Sequence, residues 1–221
     1  TGVQVTFISG DQALWPGRGA LESNVIDDFR DGNLRSGRGA YLVHMVDDNQ
    51  VDLATQLAIS KGYVGRELEE QIRYLASHTV RLFSHNEALP DPNNRLTLSK
   101  DHKDILGIPH PEVYYKLPEY TVRSCEHTRY VFRDLIKLMH GTDEQWTPGY
   151  FPQDHPAGST IMGADPKDSV VDGHCRTHDH DNLFIASSSV FSTVGTGNIT
   201  LTVAALALRV ADTLKKELAH A

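Results

Sequence analysis

Apolar Val3, Val5 and Phe7 alternate with polar Gln4 and Thr6, the two-residue period of a half-buried strand. The apolar run Tyr41–Val46 predicts another strand, and Val80 and Leu82 keep the same period within a third over 79–87. Between them the period changes. Leu68, Ile72 and Leu75 recur at helical spacing among charged residues, which predicts an amphipathic helix over 64–76. Pro90-Asp91-Pro92-Asn93-Asn94 is a strong turn, because proline fixes φ and the Asn and Asp side chains bond their own backbone. Strands are expected after it over 95–98 and 111–117. The segment 121–139 predicts a helix with Thr121 as its N-cap and Gly141 just past its end. Trp15-Pro16-Gly17-Arg18-Gly19 breaks 11–23 into a loop. Leu183-Phe184-Ile185-Ala186 predicts a short buried strand, and 200–218 a last helix made thin by Ala204, Ala205, Ala207 and Ala211. Short connections make the strands mostly antiparallel, so the fold class is α+β, with an expected division into 1–150 and 151–221.

With 221 residues, 39% of them apolar, the chain can bury a sizeable core. A net charge of -8 with no basic stretch argues against nucleic acid as a partner. No apolar run approaches the length of a membrane span. The chain opens on Thr1 without an initiator methionine or a signal-like segment, so a processed or excised piece is expected. Two cysteines make no disulfide framework, and Cys125 and Cys175 are expected to be free buried thiols. There is no G-x-G-x-x-G, no P-loop and no G-x-S-x-G, so the chain does not form a dinucleotide site by itself in the usual way.

Chemistry concentrates in the last third. His155-Pro156-Ala157-Gly158-Ser159-Thr160-Ile161-Met162-Gly163 carries a histidine on a glycine-containing loop. Imidazole titrates near neutrality, which suits a base that takes the proton of an alcohol. Asn198 precedes the last helix, fits its N-cap, and can donate an amide hydrogen bond to the resulting oxygen beside the helix's orphan N–H groups. His174, Cys175, His178 and His180 are ligand types that zinc accepts, but their spacing matches no common zinc pattern. They read as a strand–turn–strand connection with no metal bound, and a metal-dependent enzyme built on them stands as the alternative of a different class. Asn198-Ile199-Thr200 also matches a glycosylation sequon, a poor acceptor at the entry to a packed helix.

These pieces, in this order, resemble the C-terminal part of glucose-methanol-choline (GMC) flavoprotein oxidoreductases. The resemblance rests on His155-Pro156-Ala157-Gly158-Ser159, Met162-Gly163, Ser169-Val170-Val171-Asp172, Asn182-Leu183-Phe184-Ile185, Ser189-Val190-Phe191-Ser192 and Asn198-Ile199. Upstream, 89–98 and Leu106-Gly107-Ile108-Pro109 fit the family's substrate domain. Cys175-Arg176-Thr177-His178-Asp179-His180 and Val194-Gly195-Thr196 look most like the bacterial sugar dehydrogenase branch, with pyranose and glycoside oxidases as near competitors.

The resemblance implies a substrate-binding domain over 1–150. Over 151–221 it implies the catalytic loop and a strand–helix that completes a Rossmann-like FAD domain supplied elsewhere. His155 would be the base and Asn198 its partner, acting on a sugar hydroxyl whose hydride passes to flavin N5. Ser187 and Ser188 would lie by the FAD ribityl and phosphate, Asn198, Ile199 and Thr200 by the isoalloxazine, and Asp154 by a substrate hydroxyl. The implied partners are an N-terminal FAD-binding half and an electron-acceptor subunit. The implied setting is the bacterial periplasm or a membrane-associated complex, or the cytoplasm if the sugar dehydrogenase likeness fails. Two departures stand out: Ser187 occupies a position where the family commonly has Asp, and Ser192 and Ile199 occupy positions where it commonly has proline.

Overall fold

The computed structural model describes residues 1–10, 24–46, 50–150 and 155–219, and they form two compact units. The first comprises 1–87 and 120–153; the second comprises 88–119 and 154–221. The segment 88–119 therefore leaves the first unit and groups with the C-terminal stretch. The predicted loop over 11–23 and Asp154 lie outside the described residues.

The first unit is built on a five-stranded sheet, ordered β2-β3-β4-β1-β7, in which every neighbour is antiparallel. Its strands are β1 (Gln4–Ile8), β2 (Asn24–Ile26), β3 (Tyr41–Val46), β4 (Thr79–Asn86) and β7 (Thr142–Trp146). Alternation sends Val5 and Phe7 of β1, Tyr41 and Val43 of β3, and Val80 and Leu82 of β4 to one face. Helix α3 (Glu119–Leu138) covers that face with Cys125, Phe132 and Ile136. Helices α1 (Gln50–Ser60) and α2 (Gly65–His78) pack together around Ala54, Ala58, Leu75 and Ala76, with Ile8 of the sheet. A buried polar seam also runs between β4 and α3. Asn86 Nδ2 donates to Ser124 Oγ (2.7 Å) and Thr128 Oγ1 (3.0 Å), while its Oδ1 accepts from Ser84 Oγ (2.5 Å).

The predicted N-cap of α3 is corrected, while its C-terminal end falls at Leu138 with Gly141 just past it, as expected. The helix starts at Glu119, so Thr121 lies inside its first turn and is not the cap. Its buried hydroxyl donates instead to Glu87 O (2.9 Å), pinning the helix to the end of β4. At the other end His140, not Gly141, takes the left-handed conformation (φ 48°). The His140 N–H donates to Lys137 O (3.2 Å) and the Gly141 N–H to Ile136 O (2.8 Å), closing the helix with a paired reverse turn. Gly141 is small for a different reason: a Cβ there would lie 2.6 Å from Phe7 Cδ2 and 2.7 Å from Ile136 Cγ2.

The second unit contains the hairpin of β5 (Arg95–Lys103) and β6 (Pro109–Tyr114), and helix α4 (Thr200–Leu218). Asp104 Oδ1 closes the hairpin tip by accepting from the N–H of Leu106 (2.8 Å) and Ile108 (2.9 Å). A small core of Val171, Cys175, Val190 and Val210 is filled out by Met162, Phe184, Leu206 and Leu214. The predicted strand over 183–186 is reduced to a single bridge, Phe184 to Arg176. Cys175 at φ 64° cannot continue an extended partner, so the pairing stops there.

Because Phe7 and Ile136 belong to the principal core, Gly141→Ala is expected to cost about 1–3 kcal/mol through overpacking. Urea denaturation checks this; a midpoint equal to that of the parent would contradict the close approach.

Candidate functional site

The loop that follows His155 runs beside a 3₁₀ turn, Ser188–Val190. The N–H groups of Gly158, Thr160 and Met162 donate to the carbonyls of Ser188 (3.2 Å), Ser189 (3.1 Å) and Val190 (2.8 Å). Two hydroxyls reinforce this zip: Thr160 Oγ1 donates to Ser189 Oγ (2.7 Å), and Ser188 Oγ donates to Pro156 O (2.8 Å). Gly158 and Ser159 both have positive φ (86° and 88°). Glycine accepts that conformation freely, whereas Ser159 is strained in it.

The loop brings His155 to Asn198, with Nε2 and Oδ1 2.8 Å apart. As placed, the carboxamide oxygen only accepts, so Nε2 carries a hydrogen and donates it. A half-turn of the amide brings Nδ2–H to an unprotonated Nε2 instead. The pair thus serves imidazole in either protonation state. At this distance nothing fits between the two groups, and a ligand can only lie across them or replace their contact.

Asn198 is not the N-cap of α4. Ile199 takes that position in helical conformation (φ -86°, ψ -11°), with no side-chain cap; the helix itself runs over 200–218, as its sequence predicts. The Asn198 carboxamide is engaged by His155 instead. No acidic residue stands in the first turn of α4, so its N–H groups are left to partners outside the helix. Thr200, the first helical residue, is exposed.

Beside the start of α4 lies an open cleft of about 430 Å³, whose walls include Met162, Phe191, Val194, Asn198, Ile199 and Leu206. Its volume falls in the range of small-molecule sites, and its walls are mainly apolar with few polar groups. The Ser187 and Ser188 hydroxyls each make a bond within the chain. Ser187 Oγ accepts from the Ser189 N–H (3.2 Å) and caps the 3₁₀ turn, while Ser188 holds Pro156. The fastening role of Ser188, Ser189 and Thr160 and the cleft walls Met162 and Phe191 went unread in the sequence; the run of three serines before Val190-Phe191 was the one available signal.

The His174–His180 segment forms a turn around Asp172, whose Oδ1 accepts from the N–H of His174 (2.8 Å) and Arg176 (3.0 Å). Burial opposes ionisation of Asp172, but these bonds and the neighbouring His174 and Arg176 outweigh it and hold the carboxyl below its ordinary range. His178 Nε2 lies 2.9 Å from Ser169 Oγ, whose own hydrogen goes to Asp165 O (2.6 Å), so Nε2–H donates. Cys175 faces the unit's core. Among the described residues no three His, Cys, Asp or Glu side chains converge to hold a metal.

The chain belongs to the GMC oxidoreductase family, whose C-terminal model matches residues 90–207. Over 98% of its length it is 46% identical to the fructose dehydrogenase large subunit of Gluconobacter japonicus, of which it covers 40%. Over 73% of its length it is 27% identical to the 2-methyl-1,2-propanediol dehydrogenase of Mycolicibacterium austroafricanum, of which it covers 30%. Pyridoxine 4-oxidase from Mesorbium loti shares the fold, with a TM-score of 0.53 and 17% identity over all of this chain and 43% of that one. The chain therefore spans less than half the length of the relatives it matches.

Burial pushes the Cys175 thiol up, against the nearby Arg209, and pushes Cys125 up to about 11. Both stay protonated at pH 8, so neither is expected to react with a thiol-specific disulfide reagent while the chain is folded, and two thiols should titrate after denaturation. Rapid reaction of either cysteine in the folded protein would contradict the burial.

Proposed function

We propose that this chain is the C-terminal, substrate-facing part of an FAD-dependent dehydrogenase that oxidises a sugar hydroxyl. The observation that carries the reading is the contact between His155 and Asn198 at the rim of an open cleft. Nε2 of His155 and Oδ1 of Asn198 lie in direct hydrogen-bond contact. A hydroxyl group can replace their contact, giving its proton to Nε2 of His155 and accepting an N–H from Asn198. The chemistry that FAD would supply there is that of a hydride acceptor, its N5.

The residues present fit a flat ring. Met162, Phe191, Val194 and Leu206 offer apolar walls, and Asn198 with the first turn of α4 offers donors at one end. Ile199, unlike the proline common in the family, keeps an N–H for a flavin oxygen. Ser187 keeps its O–H for a phosphate or ribityl oxygen while its Oγ accepts from Ser189, and Ser188 keeps acceptor capacity while it donates to Pro156.

Sugar as substrate is supported by the likeness to a fructose dehydrogenase, and an electron-acceptor subunit by that relative's designation as a large subunit. The FAD-binding half would come from the length that the relatives have and this chain lacks. Its arrival would cover α4, where Leu201 is 82% and Leu208 69% exposed. A periplasmic or membrane-associated setting goes with the sugar dehydrogenase reading.

In the full-length enzyme, His155→Ala is expected to slow flavin reduction by sugar about 10²–10⁴-fold with FAD still bound. Stopped-flow bleaching of the flavin absorbance measures this. Reduction at the parental rate would remove His155 from the reaction.

A further inference from the structure

We infer that Ser188 is a positioning residue for the base, acting on His155 through the backbone of Pro156; this rests on the reading of His155 given above. Ser188 touches the loop twice. Its hydroxyl donates to Pro156 O (2.8 Å), and its own carbonyl accepts from the Gly158 N–H (3.2 Å). The turn that carries Ser188 is itself immobilised. Ser187 Oγ caps it, and Val190, 1% exposed, is seated in the core with Val171, Cys175 and Val210.

What makes this grip reach the imidazole is the stiffness of the link. Pro156 has a locked φ, and the residue before a proline is confined to extended conformations. The intervening peptide is trans, as are all those described. Once the Pro156 carbonyl is fixed, the ψ of Pro156 is the one soft torsion left between it and the His155 Cα. Asn198 approaches from the other side, and the 2.8 Å contact needs both partners in place. Removing the Ser188 hydroxyl takes away the bond that holds the Pro156 carbonyl, leaves the Gly158 contact as the nearest restraint, and lets the imidazole shift relative to Asn198. Displacements of this size at a reacting group cost up to about 10²-fold in rate.

The test uses the full-length enzyme and four variants: Ser188→Ala, Ser188→Thr, His155→Ala and the Ser188→Ala/His155→Ala double variant. Flavin content, thermal midpoint and the rate of flavin reduction by sugar are read for each. Ser188→Ala is expected to slow reduction about 10-fold or more with flavin content and midpoint unchanged, and Ser188→Thr, which keeps the hydroxyl, to restore the rate. In the His155→Ala background Ser188→Ala should add nothing, because a residue that acts only through the base has nothing left to position.

Multiplying losses in the double variant would overturn the inference, as would a loss of bound flavin in Ser188→Ala, which would make the serine a cofactor contact. Should Ser188→Ala not fold, failure of Ser188→Thr to reach the parental reduction rate would overturn it as well. Parental reduction in His155→Ala is a separate result and strikes the assignment of the base.

Discussion

The zip between 158–162 and 188–190 is the constraint on which the candidate site depends. Its acceptor side is rooted in the small core of the second unit through Val190, and α4 is rooted in the same core through Leu206, Val210 and Leu214 at successive helical turns. One group of apolar side chains thereby fixes both the loop that carries His155 and the helix start next to Asn198. Two residues 43 positions apart meet because each is tied to the same few buried atoms. Loss of that core would separate them without touching either.

The strained backbone of the loop fits this account. A non-glycine residue with positive φ costs on the order of 1–3 kcal/mol and persists where its surroundings over-determine it. Ser159 (φ 88°) lies between Gly158 and Thr160, both held by the zip, so flipping it to an ordinary conformation would break bonds on either side. Each such bond is worth only about 0.5–1.5 kcal/mol net, yet several act together on a few residues. The strain is therefore local evidence that the loop has one geometry in the folded chain.

The sequence was most legible where burial is periodic. β1, β3, β4, α2 and α3 each present an apolar face of several large residues, and period alone finds them. α1 hides because its buried positions, Ala54 and Ala58, are small and leave a weak pattern. β2 is three residues long and mostly exposed, and the outer half of β5 is polar, so neither carries the alternation of a half-buried strand. The start of α3 was hidden because Thr121, which has the residue type of a cap, spends its hydroxyl on Glu87, while Gly141 stands just past the helix end as expected and also clears Phe7. The site divides the same way. His155 and Asn198 stand out by residue type and by family resemblance. The role of Ser188 rests on a hydrogen bond spanning 32 positions, for which the sequence offers no period or spacing.

The two units differ in how far they enclose themselves. In the first, a helix closes one face of the sheet and the largest side chains, Tyr41, Phe7 and Phe132, are sealed. In the second, α4 buries one stripe and leaves Leu201, Leu208 and the alanines Ala204, Ala205 and Ala211 outside. The register of the β5–β6 hairpin sets Leu96 opposite Val113 and Leu98 opposite Pro111 on one face, with Leu96, Leu98 and Val113 52%, 68% and 73% exposed. A two-stranded ribbon is at best marginally stable in water by itself, and an uncovered apolar side makes it more so. The second unit thus carries apolar faces in excess of what its own core consumes. The candidate site belongs to this less enclosed unit, which holds His155, Asn198 and the cleft beside α4.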